Sequence, residues 1–141
     1  MTFSEIASRM MLRLPHQETE WSERDAEIGD YSDAGELAGY VLDEFVQGSI
    51  HAAPLGQDLE RFYELADKAA KEVMRIGIFE EMCLILHVVW DDRGRYEEAR
   101  RAVLGYLGPI ATEVFVRYDA ELSRTGHRIE PPAAPAAKGT L

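Results

Sequence analysis

Cys83 and His87 lie four residues apart in the run MCLILHVVW, the spacing that puts two side chains on one face of a helix. A thiol beside an imidazole is the beginning of a nucleophilic pair. Such a pair also needs a third group to orient the base, and none is evident nearby. Met82, Leu84, Ile85 and Leu86 surround the cysteine with apolar side chains, so Cys83 reads as a buried thiol acting as a small hydrophobe. His87 and Asp91 share the same i,i+4 relation, but a single histidine in an apolar run reads first as a satisfied core or interface residue.

The remaining histidines, His16, His51 and His127, are far from one another in the chain. No H-E-x-x-H, EF-hand loop or paired Glu-x-x-His is present, and one cysteine cannot build a thiolate zinc site, so no metal site is expected. The glycines form neither GxGxxG nor GxxxxGK[ST], and there is no G-x-S-x-G elbow. Carboxylate pairs such as Glu80-Glu81, Asp91-Asp92 and Glu97-Glu98 point about 100° apart on a helix and do not make an acid/base site by themselves. The expectation is a protein that is not an enzyme and needs no cofactor.

Charge is the more informative feature. The chain of 141 residues carries a formal net charge of -11. Between Gln17 and Glu44 lie Glu18, Glu20, Glu23, Asp25, Glu27, Asp30, Asp33, Glu36, Asp43 and Glu44, with Arg24 the only base, so this stretch holds -9 of the total. Like charge concentrated on a small fold repels itself. A solvated acidic loop accounts for it, and so does a docking surface for a basic protein. Trp21, Tyr31 and Tyr40 are interleaved with the acids, and aromatic residues are favoured interface anchors. The candidate partner-binding set is Glu20, Trp21, Glu23, Glu27, Asp30, Tyr31, Asp33, Glu36 and Tyr40. The same charge argues against nucleic acid and against an anionic membrane. The N-terminal segment has no secretory pattern, and the apolar run Met82–Trp90 is too short to span a bilayer, so a cytoplasmic location is expected.

The elements that must position these residues read as helices. With 46% hydrophobic residues the chain can bury a core without staples. Thr2 and Glu5 have capping-box spacing ahead of Phe3, Ile6, Met10 and Leu14, and Pro15 stops that helix. Gln17–Asp30 reads as a loop or a short helix. Ser32 and Asp33 suit the start of a helix through Leu37, Tyr40, Val41 and Phe45 to Gly48, in which Gly35 and Gly39 suggest close approach by another helix. Ala52–Gly56 reads as a linker, and Asp58–Ile76 as an amphipathic helix capped by Gly77, with Glu64–Lys68 and Asp67–Lys71 as i,i+4 pairs. Ile78–Trp90 is apolar almost all round, as in a central helix, a buried strand being the competing assignment. Tyr96–Leu107 and a helix opened by Pro109 complete the pattern. The fold class expected is all-α, a compact bundle of five or six helices with antiparallel hairpins at 58–76/78–90 and 96–107/109–123. Residues 1–124 form one domain, and 125–141 read as a flexible Pro/Ala-rich tail.

The segment FYELADKAAKEVMRIGIFEEMCLILHVVW, followed by RRAVLGYLGPIATEVFVRY, resembles small acidic all-helical bacterial domains of unknown function found among toxin-immunity genes. An acidic helix ending in glycine, an apolar helix after it and YLGP opening the last helix carry the resemblance, which covers Arg61 to Tyr118. It implies a helical protein that binds and neutralises a cognate toxin, and it brings no catalytic residues. The alternative is a helical adaptor or regulatory domain, dimeric or not, whose acidity serves solubility.

Overall fold

The computed structural model describes residues 1–25 and 27–125, so the expected tail from residue 126 onward lies outside the described residues. Every regular element among the described residues is helical. Helix α1 (Phe3–Met11) opens with the expected capping box, in which Glu5 N donates to Thr2 Oγ1 at 3.2 Å and Thr2 N to Glu5 Oε1 at 2.8 Å. It ends three residues earlier than its apolar spacing predicts, yet Leu14 is still fully buried. A 3₁₀ turn at Pro15–Gln17 leads into the short α2 (Glu18–Ser22), so the polar stretch is partly helical.

Helix α3 (Asp30–Gln47) begins after Gly29, whose φ of 113° suits only glycine, and ends at left-handed Gly48. It starts earlier than the Ser32–Asp33 signal predicts. Asp33 is engaged instead by Arg24, whose Nε donates to Asp33 Oδ1 at 2.7 Å.

The next two assignments need correction. Ala52–Gly56 is no linker but the first turn of α4 (Ala52–Leu65), where Pro54 is tolerated because the first-turn N–H groups have no intrahelical partner. The helix then breaks at Ala66, whose backbone is extended, and not at Gly77. Asp67 caps the following helix by accepting from Ala70 N at 2.8 Å. Lys71 Nζ donates to the Glu64 and Ala66 carbonyls at 3.2 and 3.0 Å, which satisfies the end of α4. The expected i,i+4 pair Glu64–Lys68 therefore spans the break and does not share one helix, while Asp67 serves as the cap of the helix that holds Lys71.

From residue 68 to 90 the chain runs as one helix, α5, with π-helical winding at Met74–Glu80 and Leu86–Trp90. The expected break of the 58–76/78–90 hairpin at Gly77 is thus absent, and the break lies eleven residues upstream at Ala66. Gly77 lies inside α5, where a Cβ would collide with the Ala34 side chain of α3. Helices α6 (Tyr96–Tyr106) and α7 (Pro109–Arg124) follow. Pro109 opens α7 as expected, and the Glu60 carboxylate on α4 accepts from Ile110 N and Ala111 N at 3.0 and 2.9 Å. Gly56 abuts the Tyr106 carbonyl, and the Phe45 and Tyr106 rings stack at 5.3 Å. Gly35 and Gly39 face open space, so close helix approach occurs at Gly56 and Gly77 instead. The core gathers Phe45, Phe79 and Phe115 with Ile6, Met10, Leu37, Leu59 and Leu86.

Candidate functional site

The acidic stretch folds over two elements and the loop between them. Arg24, its single base, is consumed within it. The guanidinium stacks 3.6 Å from the centre of the Trp21 ring, donates to the Trp21 carbonyl at 2.7 Å, and forks onto both oxygens of Asp33. Glu20, Glu23, Glu27 and Asp30 are exposed, and none of them joins an ion pair among the described residues. Tyr31 is half-exposed, and Ile28, three residues before it and outside the candidate set, is 66% exposed.

Tyr40 does not belong to this surface. It is only 7% exposed, and its hydroxyl donates to Glu36 Oε2 at 2.8 Å. Burial, with Glu36 as hydrogen-bond partner, pushes the phenol well above its ordinary value. Trp21 is half-buried, with Arg24 over its ring. The structure therefore leaves Glu20, Glu23, Glu27, Asp30 and Tyr31 open to solvent, makes Asp33, Glu36 and Trp21 the partly buried residues of the stretch, and assigns Tyr40 to the core.

Glu44 also leaves the surface, for a different reason. The last turns of α3 carry it inward until it is 5% exposed, facing two imidazoles. A carboxylate only accepts, so His16 Nε2–H donates to Glu44 Oε2, at 2.7 Å. The Ser49 hydroxyl donates to the other carboxylate oxygen and accepts from His51 N at 3.1 Å. The His16 and His51 rings stack at 4.9 Å. Burial alone would raise the Glu44 carboxyl, but the hydrogen bonds from Ser49 and His16 and the field of both imidazoles outweigh it and hold it below its ordinary value. Sequence spacing could not pair His16 with Glu44, because a turn, a short helix and a loop separate them.

A third polar cluster lies on α5, α6 and α7. His87 Nε2 donates to Asp119 Oδ1 at 2.8 Å, Tyr96 Oη to the same oxygen at 2.5 Å, and Arg100 Nε to Oδ2 at 2.6 Å. These bonds overcome the burial that would raise the Asp119 carboxyl, and hold it low. His87 is thus a satisfied core histidine, as its apolar setting predicts. Cys83 lies on the same helix, its Sγ donating to the Phe115 carbonyl at 3.5 Å, and burial pushes its thiol far up. A thiol held protonated inside the core is a poor nucleophile.

No helix among the described residues is long and apolar enough to cross a membrane. Compared with models of protein families, with curated proteins and with solved structures, the chain gives no match.

Proposed function

We propose that this chain is a binding protein whose acidic face, formed by α2, the loop after it and the first turn of α3, docks a basic protein in the manner of an immunity-type inhibitor neutralising a cognate bacterial toxin in the cytoplasm. The observation that carries this reading is the open group of Glu20, Glu23, Glu27 and Asp30, without ion-pair partners among the described residues and flanked by exposed Ile28 and Tyr31. A fold that spends its one local arginine on bracing Trp21 and Asp33 leaves that field uncompensated. Summed charge of this kind accelerates encounter with an oppositely charged surface, and the apolar groups that flank it hold the encounter complex.

The reading assigns recognition and no catalysis. Its test uses a partner recovered by affinity capture and stopped-flow association at two salt concentrations. Changing Glu20 and Glu23 to Gln, with Glu27→Gln and Asp30→Asn, slows association at low salt by about tenfold or more, and added salt slows the parent in the same direction. Tyr31→Ala acts on dissociation instead. If the neutralised variant associates at the parental rate at low salt, the acidity serves solubility, and the adaptor reading replaces this one.

A further inference from the structure

Three buried carboxylates lie among the described residues, and two of them are matched with guanidinium groups. Asp58 accepts from Arg13 at 3.0 Å and Asp119 from Arg100 at 2.6 Å. Glu44 has no such partner. Around it are His16, His51 and the Ser49 hydroxyl. A buried carboxylate is retained when a cation or a full hydrogen-bond set compensates it. Two stacked imidazoles, their ring centres 4.9 Å apart, stand where the other two carboxylates have a guanidinium.

We propose that His16, Glu44 and His51 form a binding site for one divalent transition-metal ion of the zinc class. Three segments distant in sequence supply the ligands. The Pro15–Gln17 turn presents His16, the end of α3 presents Glu44, and His51 sits at the cap of α4. Left-handed Gly48, with φ of 62°, reverses the chain so that His51 returns over Glu44. One ligand atom from each residue lies within 4.8 Å of the other two. Metal–nitrogen bonds of about 2.0–2.1 Å bring tetrahedral ligand atoms to roughly 3.3 Å of each other. The His16–Glu44 pair, 2.7 Å apart, opens to that spacing as the ion displaces the shared proton to solvent, and side-chain rotation draws in the wider separations, since the His16 side chain is 42% exposed and His51 is also partly open.

The supporting shell is already built. Ser49 holds the second Glu44 oxygen, so that Oε2 points at the histidines, and the His51 backbone N–H fixes Ser49 in turn. Two imidazoles and one carboxylate suit zinc, nickel, copper or ferrous iron, whereas calcium and magnesium require a shell of oxygens. The solvent side of the histidines leaves a fourth position for water or for a partner's side chain. The bound ion clips the Pro15 turn to the α3–α4 junction.

The test uses the full chain after chelator treatment, titrated with Zn²⁺ by calorimetry, with Co²⁺ absorption reporting the ligand set. One ion binds per chain, and Co²⁺ gives the intense visible bands of a tetrahedral site. His16→Gln combined with His51→Gln lowers affinity about 100-fold or more, and Ser49→Ala about tenfold. Glu44→Gln also weakens binding. Because both rings reach solvent, the double histidine variant keeps its helical circular dichroism, which separates loss of binding from loss of fold. His127→Gln leaves the affinity unchanged. Zinc binding that survives the double variant, or that disappears with His127→Gln, overturns the proposal. So does the absence of a saturable one-to-one isotherm in the parent chain.

Discussion

Among the described residues, Asp119 joins three helices through its two oxygens, accepting from His87, Tyr96 and Arg100. Replacing it with Asn removes the charge that Arg100 and His87 face, and breaking a buried pair in this way costs about 3–5 kcal/mol. The pH dependence has a defined sign. Asp119 and Glu44 are both held below their ordinary values in the folded protein. Their contribution is therefore complete above the unfolded carboxylate range and is lost as pH falls through the folded values. Urea melts across an acidic pH series should show stability falling as acid is added, with a shallower fall in Asp119→Asn. A parental curve that is flat over this range would contradict the assignment. The apolar run around Cys83 and His87 made their burial legible in the sequence. Asp119 was not legible, because in VRYDAEL it looks like any acid on an amphipathic helix. Its partners lie 32, 23 and 19 residues away, separations that no local period reports.

At the scale of elements, glycine carried two different messages. Gly48 ends a helix in the left-handed conformation, as read from the sequence. Gly77 was read the same way but is a contact point inside a longer helix, pressed against Ala34. Apolar periodicity on either side could not distinguish these roles, whereas the Asp67 cap, which marks the true boundary, was hidden inside an apparent salt-bridge ladder. The distinction gives opposite outcomes for one substitution. Gly56→Ala and Gly77→Ala should destabilise by about 1–3 kcal/mol, because the added methyl overpacks a helix crossing. Gly35→Ala and Gly39→Ala should stabilise by roughly 0.5–1 kcal/mol, since both positions are helical and face open space. Chemical denaturation of the four variants checks the pattern, and a uniform sign across them would refute it.

For the whole molecule, helical class and one broad core followed from composition and period, because those signals sum over many residues. The layout of charge did not follow so simply. The acids of residues 17–44 form one block in the sequence, but the fold divides them three ways. Glu20, Glu23, Glu27 and Asp30 stay in solvent, Asp33 and Glu36 brace the face from behind, and Glu44 turns inward to the histidines. One feature of that arrangement also makes the protein its own optical instrument. Its two indoles both lie under arginines, Trp21 under Arg24, and Trp90 near Arg93 and Arg95. They differ in what anchors them, since Trp90 is buried on the central helix while Trp21 rests on five-residue α2. Emission from Trp90 in a Trp21→Phe chain should thus follow the loss of the core. Emission from Trp21 in a Trp90→Phe chain should change at lower denaturant, as α2 lifts away with its arginine clasp before the bundle opens. Coincident transitions would instead make the acidic face part of the same cooperative unit as the core.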